Sequence, residues 1–399
     1  MAYTEPTGFT KAGNLWYPAL ATEYEKFVEE EGLPTLGGTG VRDIRDIELS
    51  PWKRMGGKGA YIQFDGTQGL FGMYVVEVPP GGALNAERHL YEEMFIAFEG
   101  RGTAEVWGND EDKKLTFEWG QGSHFAMPPN AWHRLVNATS QPCLLLAITN
   151  APPIMKFFPN RRFVFENDFV YPDSVDNAEH FKANEDMEPL PDSGRAMIRT
   201  NLIPDIIHTY LPNDNHRGPG SRRVVPVMSS INYMNGFITQ FPNGRYAKGH
   251  WHAAGAVLIC LTGRGYSFSW PRALGTHPWS DGHADKVMRQ DYQPGGIVSA
   301  SPGGVGNYHQ HFSTGNEPLR MRAILGGLGG GGRVGKLVPG VGVNMDEGGS
   351  AIGLYAQDPE LDQIFRRELE KTGTPYDMPA EGYEEQPDHP EIDGVTVGV

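Results

Sequence analysis

The feature that most constrains this 399-residue chain is a spacing pattern that occurs twice. One copy runs through Gly82, Glu87, His89, Glu93 and Gly100, then Gly122, Pro128, Asn130, His133 and Asn137. The other runs through Gly244, His250, His252, Ala256 and Gly263, then Gly296, Pro302, Gly304, His309 and Ser313. With the histidines aligned, the second copy holds 13 more residues between its motifs, and WPRALGTHPWSDGH accounts for them as a longer hairpin loop placed to cover a pocket mouth. A pattern repeated at domain scale calls for two copies of one supersecondary unit, each burying its own core.

The unit is built of strands. Gly (52) and Pro (31) are abundant without a collagen period, which fits short strands joined by tight turns. GMYVVEV, MFIAFEG, TAEVWG and CLLLAIT in one half, and GFITQF, AVLICLTG, YSFSW and LRMRAIL in the other, are short apolar β-type runs bounded by turn residues. The expected organisation is an N-terminal arm (1–55), a first barrel (56–150), a Pro-rich connector (151–224), a second barrel (225–330) and a C-terminal helix and tail (331–399). Glu23 to Glu31 reads as a short helix ended by Gly32 and Pro34, and a second short helix is expected near Asn201 to Tyr210. Asp358 as cap, Pro359 in the first turn and the stripe Leu361, Ile364, Phe365 and Leu369 predict a third. From about Met378 the acidic, Pro-rich tail reads as a surface arm or as disordered.

Along a strand, residues i and i+2 share a face, so His250 and His252 would aim two imidazoles into one lumen. His309, delivered by the later turn, completes a three-His set; His311, two residues on, is a fourth ligand or an acid/base. The first half offers Glu87, His89, Glu93 and His133, with Glu87 in the place of the first His, and Glu87 could instead pair with Arg88 or Arg134. Imidazoles and carboxylates suit Fe(II), Mn(II), Zn(II), Ni(II) or Cu(II).

These residues resemble the cupin superfamily, whose motifs are G-x5-H-x-H-x3,4-E-x6-G and G-x5-P-x-G-x2-H-x3-N. The departures are specific. In the first half the opening Gly comes one residue early, Glu87 replaces a His and Asn130 replaces a Gly. In the second half Ala256 replaces the Glu, two extra residues precede His309, and Ser313 takes the Asn place. The resemblance covers about residues 60–150 and 225–330 and implies an all-β bicupin: two tandem double-stranded β-helix (jelly-roll) barrels with terminal arms that carry short helices. The pattern further resembles gentisate and related ring-cleaving dioxygenases. That likeness implies an Fe(II)-dependent oxidoreductase in which His250, His252 and His309 hold the metal, His311 moves a proton, and a small hydroxylated aromatic acid and O2 are the reactants. The alternatives are a Mn-dependent bicupin decarboxylase or lyase and a non-catalytic small-molecule-binding bicupin. Bicupins commonly assemble through their arms, so a homo-oligomer is expected.

Other features narrow the reading. A net charge of −15 disfavours nucleic acid and anionic membranes as partners. No apolar run approaches the roughly 20 residues that span a bilayer, no signal peptide is visible, and the cytoplasm is the expected compartment. Cys143 and Cys260, both in apolar runs, read as buried free thiols. GGGRVGKL lacks the Ser/Thr that ends a P-loop and reads as an exit from the second barrel. His124, His180, His208, His216, His277, His283 and His389 have no ligand spacing and read as surface or loop residues. Arg245, Arg320 and Arg322 are candidates to clamp a substrate carboxylate.

Overall fold

The computed structural model describes residues 9–12, 15–18, 21–67, 69–189, 195–228, 233–252, 255–300, 302, 307–326, 342–379, 391–392 and 395–396. GGGRVGKL, His389 and nearly all of the acidic tail lie outside these residues. The fold is all-β. Each half is a large sheet faced by a smaller one.

In the first half the large sheet runs Leu202–Ile203, His124–Met127, Glu93–Glu99, Cys143–Thr149, Gly72–Val78, Gly57–Ile62 and Thr35–Leu36. The facing sheet is Leu115–Gly120, Arg101–Trp107 and Trp132–Val136, extended by bridges from Ala83 to Val136 and from Glu87 to His133. In the second half the large sheet runs Met187–Pro189, Ala196–Arg199, Arg222–Val227, Asn235–Phe241, Leu319–Leu325, Ala256–Thr262, Ile297–Ser299 and Gly40–Val41. It is faced by His250–Trp251, Asn307–Ser313, Gly265–Pro271 and Met288–Tyr292.

Alternation along the strands decides what faces what. Tyr74, Val76, Phe95, Ala97, Leu145 and Ala147 point into the first barrel. Their neighbours Met73, Val75, Met94, Ile96, Leu146 and Ile148 point out and meet Val224, Ile238, Val257, Ile259 and Ile324 from the second barrel. The two large sheets therefore pack back to back through an apolar layer. Each fully buried side chain in it contributes about 1.5–3 kcal/mol. The chain also laces the barrels together. Thr35–Leu36 joins the first sheet and Gly40–Val41 the second, while Leu202–Ile203 returns from the connector to the first.

The glycines that close the first motif of each copy show why that residue is required. Gly100 (φ 84°) and Gly263 (φ 78°) are left-handed, and an added Cβ would come within 2.3 Å of Cys143 Sγ and 2.6 Å of Pro318 O respectively. Asn130, standing where the motif has Gly, keeps the left-handed backbone (φ 58°), which Asn tolerates better than most residues, and its side-chain amide donates to Asn167 O at 3.0 Å.

The terminal helices form as the sequence implies. Glu23–Glu31 starts with a capping box between Thr22 and Glu25 and stops at left-handed Gly32. Pro359–Thr372 lays Leu361, Phe365 and Leu369 on Tyr246, Tyr266, Phe268 and Phe312, the outer face of the second barrel's smaller sheet.

Two expectations are corrected. Asn201 to Tyr210 is not a helix: Leu202–Ile203 is a strand on His124–Met127, and Asp205 Oδ1 accepts from Ile207 N at 2.7 Å to make a turn. The long loop Trp270–His283 sets Arg272 over the ring of Trp251, beside His250, at 3.6 Å. It lies over the C-terminal helix, where Trp279 N, Ser280 N and Ser280 Oγ donate to the Asp358 carboxylate at 2.8, 3.0 and 2.6 Å. His124 is neither surface nor loop: it sits on a strand, fully buried between the barrels.

Candidate metal centres

The first cluster assembles Glu87, His89, Glu93 and His133, all buried, with one ligand atom from each lying within 4.8 Å of the others. Strand pairing sets this arrangement. Glu93 opens an inner strand beside Thr149 and Met127. Glu87 and His133 exchange both backbone hydrogen bonds, at 3.0 and 2.9 Å, and Asn130 N donates to His89 O at 2.7 Å.

The Nδ1 atoms of His89 and His133 each lie 3.0 Å from a backbone carbonyl, of Tyr91 and Ala131. That contact fixes the Nδ1–H tautomer and leaves each Nε2 lone pair for the interior. His133 Nε2 is 3.1 Å and His89 Nε2 3.5 Å from Glu93 Oε2, and Tyr74 Oη donates to Glu93 Oε1 at 2.5 Å. Burial would push the Glu93 carboxyl up, but the facing His133 and His89 rings, which donate to it from Nε2 once protonated, overcome it and hold the group below the usual range. For His133, burial pulls downward and the Glu93 contact more than reverses it. Glu87 pairs with Arg54, not with Arg88 or Arg134. Those two are engaged elsewhere, Arg88 on Asn109 and Arg134 on Glu105, because they point to the opposite face of the strands. Tyr91 stacks on His89 with ring centroids 3.5 Å apart, and Phe165 from the connector closes over both.

The second cluster groups His250, His309 and His311, again buried and within 4.8 Å. His250 and His309 are register partners on adjacent strands, and His311 follows on the same face. His252 stands beside this set. Its ring lies 4.6 Å from that of His309 and 5.6 Å from that of His250. Both separations are shorter than those of His311, whose ring lies 5.4 Å from that of His309 and 6.1 Å from that of His250, so four imidazoles gather in this barrel. His311 lies within reach of both, and its Nδ1 meets Tyr292 Oη at 2.9 Å.

Among the described residues no carboxylate joins this second set. Burial pushes all three imidazoles down, Arg217 adds to the effect on each, and His311 is pushed down to about 3. They are therefore neutral near pH 7, the state that ligates metal. Arg217 is buried and its carbonyl accepts from Lys248 N at 2.6 Å, two residues before His250. Arg223, from the inner face of the large sheet, lies 3.6 Å from Asp214 and over the Phe237 ring at 4.0 Å.

Arg217 and Arg223 are not among the arginines singled out by the sequence, and those three lie elsewhere. Arg245 pairs with Asp377 at the surface. Arg320 donates to the carbonyls of Ile206, Ile207 and Thr209. Arg322 points away from the lumen, into the layer between the barrels. Alternation could have excluded Arg320 and Arg322, because both share the outward face with Ile324. No local signal marks Arg217, which arrives on a turn from the connector.

Both clusters fit a divalent ion by chemistry: neutral imidazoles with ring nitrogens converging on one point, joined by carboxylates in the first barrel only.

Residues 74–149 match the cupin domain family. The chain is 29% identical over 139 residues to auxin-binding protein 1 of Arabidopsis thaliana, covering 33% of this chain and 67% of that protein. Among solved structures, oxalate decarboxylase from Bacillus subtilis at pH 4.6 is similar at a TM-score of 0.45 and 11% identity, over 73% of this chain and 77% of that one. A second structure of that enzyme, from work on its Mn(II) centres, gives a TM-score of 0.44 and 13% identity over 73% and 78%. Residues 74–149, which match the cupin domain family, form the body of the first of two similarly built all-β halves, each with a cluster suited to a metal ion.

Proposed function

We propose that the protein is a metal-dependent enzyme whose second barrel acts on a small carboxylic acid, with a hydroxylated aromatic acid and O2 as the reactants and Fe(II) as the ion. The observation that carries this reading is the charge of the second cluster: three neutral imidazoles beside Arg217 and no carboxylate ligand. A divalent ion held there keeps its full charge, and when bound it would supply Lewis-acid and redox chemistry. The chain's own residues do the rest. Arg217 draws the acid in and orients its carboxylate. The buried lumen strengthens that attraction by excluding water. Tyr292 fixes the His311 ring through Nδ1.

The first cluster is different, because two carboxylates balance a divalent ion and Tyr91 and Phe165 close over it. This favours a second reading in which the first barrel holds Mn(II) and the chemistry is a decarboxylation. The likeness to a protein named for binding auxin supports a third, non-catalytic binding role.

The test is oxygen consumption by iron-loaded protein with mono- and dihydroxybenzoates. Turnover that falls about 10–100-fold in kcat/KM in Arg217→Gln at unchanged metal content supports the reading. Carbon dioxide release without oxygen uptake would favour decarboxylation in its place.

A further inference from the structure

The smaller sheet of the second barrel carries more polar groups than its histidines. Gly265–Pro271 pairs with Asn307–Ser313 so that Ser269 stands opposite His309 and Ser267 opposite His311. Directly opposed side chains in such a pair share a face, with Cβ atoms about 4.5–5.5 Å apart. Both serines are therefore inside the lumen, and both are buried. One strand further, Gln290 is the register partner of Ser267. Its amide nitrogen donates to Thr39 O at 2.7 Å, leaving the amide oxygen for the interior. Ser269 Oγ and Gln290 Oε1 are buried with no hydrogen-bond partner among the described residues. Ser267 lies beside the Tyr292 hydroxyl, which in turn meets His311. The opposite wall is largely apolar: Phe241, Leu258, Cys260, Met321 and Ala323 cluster on the inner face of the large sheet, with Arg223 at one end of it. The lumen thus has one wall of neutral hydrogen-bonding groups and one mainly apolar wall.

A buried hydroxyl and a buried amide oxygen without partners call for something that supplies them. Backbone does not reach Ser269, whose strand is paired on each side, and the strand of Gln290 is the sheet's edge, paired only to that of Ser269. We infer that Ser269, with Ser267 and Gln290, reads a hydroxyl group on the ligand of the second barrel, so that the site selects a hydroxylated acid over the same acid without that hydroxyl. The ligand lies flat between the walls, its carboxylate toward Arg217 and His250, its hydroxyl toward Ser269 and its carbon face on Leu258 and Met321. A pocket built to hydrogen-bond a hydroxyl rejects the analogue that lacks it far more strongly than an apolar pocket rejects the reverse.

This inference rests on the second barrel being the ligand site, and the test separates the two. The full-length chain, loaded with Mn(II), is titrated calorimetrically with benzoate and with its 2-, 3- and 4-hydroxy isomers. The expected result is that one hydroxy isomer binds at least about tenfold more tightly than benzoate. Ser269→Ala reduces that preference to less than about threefold while leaving benzoate affinity and Mn(II) content unchanged, and Ser269→Thr, which keeps the hydroxyl, restores it. If wild type binds all four acids alike, or Ser269→Ala keeps the preference, the inference is overturned and water satisfies Ser269 while the ligand-site assignment stands. If none of the acids binds and His309→Ala leaves the Mn(II) content unchanged, the ligand-site assignment fails together with the inference.

Discussion

Arg322 Nε, on a strand of the second barrel, donates to His124 Nε2, on a strand of the first, at 3.2 Å across the layer where the two large sheets meet. Both residues are fully buried among isoleucines and methionines. His124 Nδ1 meets Phe95 O at 2.9 Å, so the ring is held neutral with its lone pair turned to the guanidinium. Burial pushes Arg322 down to about 9, and burial together with Arg322 pushes His124 down to about 3. The pair joins the barrels at the expense of burying a charge.

Removing one partner should therefore cost more than removing both. His124→Leu leaves the guanidinium without its acceptor and should destabilise the protein by about 3 kcal/mol. The double variant His124→Leu, Arg322→Met replaces both by apolar groups of similar volume and should regain most of that loss. Urea denaturation of the two variants and the parent gives the comparison. Additive losses in the double variant would contradict the account.

Acid should destabilise the metal-free protein from a well-defined point. His124 and His311 are pushed down to about 3 in the folded state, against about 6.5 unfolded. Between those values the unfolded chain binds protons that the folded chain refuses. Stability is full above pH 6.5 and falls as pH drops toward 3, by about 1.4 kcal/mol per pH unit per group. His133, raised by Glu93, works in the opposite sense and softens the slope. Urea midpoints at pH 7.5, 6.5 and 5.5 should show a plateau and then a decline. A midpoint that holds level down to pH 5.5 would contradict the burial of neutral imidazoles.

Tyr74 should matter to the first centre without being a ligand. Its hydroxyl donates to Glu93 Oε1 and leaves Oε2 facing His133 and His89. Tyr74→Phe should lower Mn(II) affinity in the first barrel about 10–100-fold, a normal effect of losing a ligand's orienting partner. Titration followed by electron paramagnetic resonance measures it, in a His309→Ala background to silence the second cluster.

Asp358 serves two elements. It caps Pro359–Thr372 through Glu360 N at 3.1 Å and also holds Trp279 and Ser280 of the long hairpin loop. Asp358→Ala should cost about 2 kcal/mol, above the roughly 1 kcal/mol of a lost cap alone. Hydrogen exchange should speed up in residues 276–283 as well as in the first turn of the helix.

Much of this architecture was readable in the residues. The repeated spacing implied two barrels, and the left-handed positions at Gly100, Gly263 and Asn130 follow from residue type, since each turn needs a backbone that few side chains tolerate. The gathering of His89, Glu93 and His133 follows from strand period plus a turn. What escaped the sequence depends on where strands end and which loop arrives. Leu202–Ile203 is a two-residue strand where a helix is expected. Arg217 reaches the second cluster from the connector, and Thr35–Val41 and Leu202–Ile203 lace the two barrels, placements that no local periodicity encodes. His124 has no ligand spacing because its partner is an arginine 198 residues away.

The central claim is that the second barrel, not the first, carries the chemistry. The most direct measurement is iron content together with oxygen consumption for wild type, His309→Ala and His89→Ala. The account predicts that His309→Ala loses oxygen consumption by at least about 100-fold and sheds only the second-barrel metal. His89→Ala, in contrast, retains activity. Activity that survives His309→Ala and disappears in His89→Ala would place the working centre in the first barrel and contradict the account.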